Sequence, residues 1–210
     1  MVRLMKQGKP HNTKSEVETL IGPFFEHCPE IQQAFAQSCH THRYQRRDDN
    51  SMYLEQHIFP LVFDMYRYFD RVEEKVVGVA VALLHDVPEE DPNCRIDRIY
   101  REYSPHIADC VAALQKQKKT TAIRKQADKH EEHIALVKTL ANAPKIAQVM
   151  KVFDRLNNLV CTEMKRNIIK YERFILDTEL LYLPFAYTVD VNLAEKMKKG
   201  LTQLKGEFTS

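Results

Sequence analysis

The chain has 210 residues, a formal net charge of +2, and 44% hydrophobic and 29% charged residues. This length fits one good-sized domain with a buried core, and the small net charge gives no global attraction to nucleic acid or anionic lipid. The five cysteines include no Cys-x-x-Cys pair, which argues against a disulfide framework or a zinc ribbon and favours a reducing cytoplasm. No stretch approaches about 18 consecutive apolar residues, and the first ten residues are polar and basic, so neither a membrane span nor a secretory signal is predicted.

The composition favours an all-α fold, because the chain has only five glycines and is rich in Leu, Ala, Lys, Glu and Gln. Residues 1–13 are predicted to be a flexible tail, and residues 14–210 a single domain. Helical spacing of apolar residues predicts helices over 14–27 (interrupted by Gly22-Pro23), 28–42, 57–68, 73–86, 96–103, 105–117, 122–141, 144–165, 168–183 and 189–205. We therefore predict a bundle of about nine or ten helices, and the sequence leaves its oligomeric state open.

The pattern of residues 73–86 fits either a buried strand or a buried helix, since residues 76–84 are apolar without interruption. A length of about twelve residues, and the lack of a second β-like run to pair with, favour a helix that is apolar nearly all round. The run ends at His85-Asp86. Adjacent His and Asp side chains can converge there because the backbone is leaving the helix.

The third predicted helix is preceded by the polar segment 43–52, which contains Arg46 and Arg47. This segment fits a solvated connector, or a basic loop that grips a phosphate just before the first candidate ligand. The helix itself should begin near His57, because Pro60 is tolerated only in a first turn, whose amides lack intrahelical partners. His57 is therefore expected at a helix entrance.

The strongest candidate site combines two imidazoles and two carboxylates, which suit a divalent ion such as Mn²⁺, Fe²⁺ or Zn²⁺. Its members are His57, His85, Asp86 and Asp154. Asp154 shares a helix face with Asn158, among apolar neighbours, and a buried carboxylate is costly unless it is paired or bound to metal. A buried Asp paired with an Arg is the alternative.

Two further polar clusters are open to more than one interpretation. Glu89 and Glu90 follow Pro88, and they fit either an acidic helix start favoured by the helix dipole or a general acid/base beside a metal-activated water. Residues 130–133 read HEEH, which is not H-E-x-x-H. They are predicted to be a solvated helix face rather than a zinc site.

Four segments of the chain read as motifs in a fixed order. Residues 53–60 read YLEQHIFP and resemble Y-I-x-H-P, and residues 82–90 read ALLHDVPEE and resemble A-L-L-H-D-x-x-E-D. Residues 151–159 read KVFDRLNNL and resemble K-L-A-D-R-L-H-N-M, and residues 181–186 read LYLPFA and resemble Y-A-P-L-A. The chain thus resembles the HD-domain phosphohydrolases, and among them the hydrolase domain of the RelA/SpoT alarmone enzymes and the small alarmone hydrolases.

The resemblance implies a cytoplasmic enzyme that uses Mn²⁺ to remove the 3′-pyrophosphate of ppGpp or pppGpp, giving GDP or GTP. It gives a role to each matching residue: His57, His85, Asp86 and Asp154 as metal ligands, Glu89 and Glu90 as the acids that handle water and proton, and Asn158, Lys151 and Arg46 or Arg47 as substrate contacts. The implied partner is a nucleotide, with no stable nucleic acid and no membrane. A hydrolase for another nucleotide or phosphoester, or an inactive regulatory relative, is the alternative.

The chain departs from the motifs at four places. The proline after the first histidine is displaced by two, to Pro60, and Glu90 stands where the family usually has Asp, with Asp91 next to it. Asn157 replaces a His, and Val160-Cys161 replaces Arg-Thr. These changes touch the acids and the nucleotide side more than the predicted metal ligands, which is why another nucleotide stays an alternative substrate.

Overall fold

A computed structural model describes residues 11–116, 126–161 and 168–208, and within them the only secondary structure besides helices and turns is an isolated β-bridge between Arg46 and Met52. The all-α prediction is thus confirmed. The helices are α1 (Lys14–Ile21), α2 (Pro29–Thr41), α3 (Phe59–Tyr68), α4 (Val72–Leu84), α5 (Val87–Glu90), α6 (Ile96–Glu102), α7 (Pro105–Leu114), α8 (Gln126–Leu140), α9 (Lys145–Cys161), α10 (Ile168–Asp177), α11 (Leu183–Val189) and α12 (Val191–Phe208).

The ambiguous apolar segment is helix α4, and it lies at the centre of the bundle. It packs against α2, α3, α7 and α9, and its residues 78–84 are all buried. A helix that is apolar on every side is stable only with neighbours on every side. Met65 and Phe69 pack next to Gly78, where a Cβ would lie 3.4 Å from both side chains, at the edge of ordinary van der Waals contact.

The start of the third helix differs from the prediction. The chain is already helical in a π turn over Leu54–Ile58, where the Phe59 N–H donates to the Leu54 carbonyl, and α3 continues from it. His57 is therefore buried inside a helical turn and does not lie at a helix entrance. Pro60 is tolerated because it falls in the first turn of α3, directly after the π turn.

The C-terminal third also differs in its boundaries. The predicted helix over 168–183 is divided into α10 and a π turn over Thr178–Tyr182, and the unpredicted helix α11 follows with Pro184 in its first turn. Helix α12 begins at Val191 rather than 189, because the Asp190 carboxylate accepts hydrogen bonds from the Asn192 and Leu193 amides.

The solvated face predicted for residues 130–133 is wrong. His130 Nδ1 lies 2.5 Å from Asp177 Oδ1, and His133 Nδ1 lies 2.6 Å from the Tyr182 hydroxyl. Glu132 is buried as well. This part of α8 packs against α10 and the second π turn through polar side chains, which a search for apolar stripes does not detect. The sequence also predicts a charged loop over 116–119, of which only Lys116 lies within the described residues.

The predicted tail lies mostly outside the described residues, which begin at His11. Asn12 donates its N–H to the Glu55 carbonyl, and Thr13 caps α1 through a reciprocal pair of hydrogen bonds with Glu16. The chain is therefore bonded to the domain at these two residues, and a tail over residues 1–10 stays a prediction.

Two exclusions drawn from composition can be compared with the structure. Cys28, Cys39, Cys94 and Cys110, whose side chains are described, are free thiols. In the described ranges, no helix combines the length and the apolarity needed to cross a bilayer.

Asp64 of α3 gives a prediction for pH-dependent stability. Burial raises the pKa of its carboxyl to about 6, although Arg67 and Lys196 oppose the shift. The folded state then binds this proton more tightly than the unfolded chain, so stability falls as the pH rises through this range, by up to about 3 kcal/mol. We expect Asp64→Asn to raise the melting temperature at about pH 8 and to change it little at about pH 4, as measured by thermal unfolding. The exposed Asp70→Asn should be neutral at both pH values, and equal effects of Asp64→Asn at the two would contradict the prediction.

Candidate metal centre

Three structural elements bring the predicted metal ligands to one point. His57 comes from the first π turn, His85 and Asp86 from the turn between α4 and α5, and Asp154 from α9. Ligand atoms of His57, His85 and Asp154 all lie within 4.8 Å of one another. Asp86 Oδ2 lies 3.1 Å from His85 Nε2 and 3.5 Å from His57 Nε2. The four residues thus form one cluster of imidazoles and carboxylates.

The ring of His85 is oriented by a contact at Nδ1, the nitrogen that does not face Asp86. Its Nδ1 lies 2.8 Å from the Ala82 carbonyl, which can only accept, so Nδ1 carries the proton. Its Nε2 is buried and lies 3.1 Å from Asp86 Oδ2, in a geometry that makes no hydrogen bond. Burial opposes a charge on this imidazole, yet the carboxylates of Asp86 and Asp154 outweigh that effect and raise its pKa. A buried nitrogen lone pair that faces carboxylates is suited to a metal ion.

His57 is held in the same way. Its Nδ1 lies 2.7 Å from Asn157 Oδ1, and its Nε2 lies 3.5 Å from both Asp86 Oδ2 and Asp154 Oδ1. With the proton on Nδ1, the lone pair of Nε2 faces two carboxylates, an arrangement that is repulsive unless Nε2 is protonated as well or a cation lies between them. The cluster therefore fits a divalent cation with nitrogen and oxygen ligands.

Asp154 is held on both sides by its own helix. Lys151 Nζ lies 2.6 Å from its Oδ2, and Asn158 Nδ2 donates to its Oδ1 at 2.7 Å. Burial opposes both charges, but Lys151 keeps the pKa of Asp154 below its usual range and Asp154 raises the pKa of Lys151. The buried carboxylate is thus paired with a lysine, rather than with the arginine that the sequence analysis considered.

Asp86 has a partner that the sequence analysis did not single out. The Tyr53 hydroxyl donates to its Oδ2, and the Tyr53 ring lies 4.8 Å from the His57 ring. Burial opposes ionisation of Asp86, but the imidazoles of His85 and His57 hold its pKa well below its usual range. The only sequence signal for Tyr53 was its place at the head of the first motif, four residues before His57.

A cleft of about 190 Å³ opens over this cluster. It is lined by Tyr53, His57, His85, Asp86, Glu89, Glu90, Leu114, Lys116, Lys151, Asp154 and Asn158. Glu89 is half-buried and Glu90 is exposed, so the two acids lie at different depths. Lys116 is a cation of the cleft that the sequence analysis placed only in a charged loop.

Asp91 does not join these acids. Its Oδ2 accepts from Gln37 Nε2 at 3.1 Å, its Oδ1 accepts from the Asn93 amide, and it does not line the cleft. It therefore cannot compensate for the longer side chain of Glu90.

The structure distinguishes the two arginines of the polar loop. Arg47 Nη2 donates to Asn158 Oδ1 at 3.1 Å, and its guanidinium lies over the Tyr53 ring. Arg46 is exposed and donates to the Asn50 carbonyl of its own loop. The loop thus brings Arg47, and not Arg46, to the edge of the site.

No family model and no curated protein matches the chain. Among solved structures, it is similar to a metazoan ortholog of SpoT that hydrolyses ppGpp and plays a role in starvation responses. The likeness covers 83% of this chain and 94% of that one, with a TM-score of 0.62 and 18% sequence identity. The chain thus shares the all-helical fold of that protein. The resemblance predicted from the four motifs is confirmed at this level.

Proposed function

We propose that the protein is a metal-dependent phosphohydrolase that removes the 3′-pyrophosphate of ppGpp or pppGpp and releases GDP or GTP. The observation that carries the proposal is the arrangement of His57, His85, Asp86 and Asp154, whose nitrogens and carboxylates converge at the floor of a polar cleft. The similarity of the fold to a ppGpp hydrolase supports the choice of substrate.

The charges of the cleft explain why a phosphate substrate would need a metal ion. Four carboxylates and two lysines line it, and Lys151 is already paired with Asp154. A phosphate would be repelled by this surplus of negative charge without a bound cation. When bound, a divalent ion neutralises phosphate charge and lowers the pKa of a water molecule. Nitrogen and carboxylate ligands without thiolate are consistent with Mn²⁺.

The two acids of α5 supply the proton chemistry. Glu89 is half-buried within the cleft and is the better placed to accept a proton from the attacking water. Glu90 lies at the exposed side, where it can exchange protons with solvent or with the leaving oxygen. Hydrolysis adds water across the bond between the 3′-oxygen and phosphorus, so GDP or GTP regains a 3′-hydroxyl and pyrophosphate leaves.

Cationic and amide side chains around the ligands would hold the substrate. Asn158 and Lys151 line the cleft beside Asp154, and Arg47 reaches Asn158 from the loop. An arginine can grip phosphate oxygens in a bidentate manner, and a lysine acts as a point charge. Arg46 is not included, because its guanidinium is bonded within the loop.

The proposal is tested by supplying ppGpp to protein loaded with Mn²⁺ and separating the products. We expect equimolar GDP and pyrophosphate, no single phosphate, and loss of turnover when a chelator removes the metal. Activity should return when Mn²⁺ is added back. No turnover of ppGpp by a fully metallated sample would overturn the proposed substrate.

A second substrate class is favoured by one observation. Val160, which stands where the related enzymes usually have Arg, is 52% exposed on α9 in the turn that follows Asn157 and Asn158. A cation missing from this position fits a nucleotide with a different phosphate arrangement. A panel of nucleoside mono-, di- and triphosphates, with phosphate and pyrophosphate detected separately, distinguishes the two substrates.

A further inference from the structure

Asn157 is a buried polar residue that joins two segments of the site. It lies on α9 and is only 5% exposed. Its Nδ2 donates to the main-chain carbonyl of Gln56 at 3.2 Å, and its Oδ1 lies 2.7 Å from His57 Nδ1. Both partners belong to the first π turn, about one hundred residues earlier in the chain.

Pro60 removes a main-chain donor from the end of the π turn, because proline has no N–H. That N–H would pair with the carbonyl of residue 56 in a regular α-helix and with that of residue 55 in the i+5 pattern of the π turn. The Glu55 carbonyl accepts from the Asn12 N–H, a donor from outside the turn. The amide of Asn157 supplies a donor to the Gln56 carbonyl. Pro60 and Asn157 are both departures from the family motifs, and both lie at this end of the π turn.

This bond also determines which way the amide of Asn157 faces. A flipped amide would place its oxygen against the Gln56 carbonyl and its N–H₂ against His57, and two oxygens cannot hydrogen-bond to each other. The observed orientation presents Oδ1, a pure acceptor, to His57 Nδ1. His57 must then carry a proton on Nδ1, which leaves the lone pair on Nε2, facing Asp86 and Asp154.

We propose that Asn157 is a positioning residue: anchored on the Gln56 carbonyl, it selects the Nδ1–H tautomer of His57 and turns Nε2 towards the carboxylates with which it would hold a metal ion. The inference rests on the metal site of the proposed function. His85 is oriented by the Ala82 carbonyl instead, so it does not depend on Asn157 and serves as an internal control.

The test compares the metal affinity of three variants with that of the wild type by calorimetric titration with Mn²⁺. Asn157→Leu keeps the side-chain volume and removes both bonds, and we expect it to weaken affinity by about 10- to 100-fold, as for other residues that orient a metal ligand. Asn157→Asp keeps an acceptor for His57 but places an oxygen against the Gln56 carbonyl, so we expect a loss of affinity that is smaller than that of the leucine variant. Thr178→Val, equally buried but bonded to Arg155 and Phe174, is the matched control and should leave affinity unchanged.

A second measurement reports on the tautomer itself. In ¹H–¹⁵N spectra of the zinc-loaded protein, we expect slowly exchanging Nδ1–H signals from His57 and His85. Asn157→Leu should lose protection at His57 only. If Asn157→Leu bound metal as tightly as the wild type and kept its His57 signal, the role of Asn157 would be overturned and the proposed function would stand. Failure of the wild-type protein to bind metal would overturn both.

Discussion

Replacing Asp86 by alanine should reduce pyrophosphate release from ppGpp by about 10³-fold or more, because the metal ion would lose its central carboxylate and a stabilisation of several kcal/mol. Asp86 Oδ2 lies near both imidazole nitrogens and accepts the Tyr53 hydroxyl, so no other side chain can take its place. Turnover under saturating Mn²⁺ and the metal content of the purified protein are the measurements, and both should fall together.

Asp91→Ala is the matched control for this substitution. Asp91 has the same side chain and lies at the other end of the same short helix α5, but its carboxylate is bonded to Gln37 and to the Asn93 amide, outside the cleft. We expect this variant to keep full metal content and nearly full activity. If Asp86→Ala retained a tenth of the wild-type rate, the assignment of Asp86 as a ligand would be wrong.

Replacing Arg155 by alanine should lower the free energy of unfolding by about 3 to 5 kcal/mol, as measured by urea denaturation of the metal-free protein. Its guanidinium is buried between the rings of Phe174 and Tyr182, with its central carbon 3.8 Å and 4.3 Å from their centroids. Nε donates to Thr178 Oγ1 at 2.8 Å and Nη2 to the Phe174 carbonyl at 2.7 Å. Truncation leaves a cavity and removes donors from buried acceptors.

Two further variants make this prediction specific. Arg155→Lys should recover little of the loss, because an ammonium can neither stack between two rings nor donate in two fixed directions. The exposed Arg101→Ala should change stability by less than about 0.5 kcal/mol. Burial lowers the pKa of Arg155 to about 10, so it stays charged at neutral pH. A loss of under about 1 kcal/mol in Arg155→Ala would contradict this account, because a cavity and two buried acceptors without donors together cost more than that.

Much of the fold followed from local patterns, because helix formation depends on residues three and four apart. The apolar run before His85 was long enough to favour a helix over a strand, and it is the buried central helix. The π turn around His57 could not be predicted from local patterns, because a turn of this kind is stabilised by packing against other helices rather than by its own residues. The polar packing of His130 and His133 was missed for the same reason, as their partners are nearly fifty residues away.

For the site, the sequence by itself determined which side chains have metal and phosphate chemistry, and their order along the chain. It placed His85 beside Asp86 and put Asp154 and Asn158 on one helix face, because these relations are local. Only the tertiary structure decided that Arg47 rather than Arg46 reaches the site and that Asn157 orients His57. Those contacts join residues about one hundred positions apart, and they exist only once α9 has packed against the first π turn.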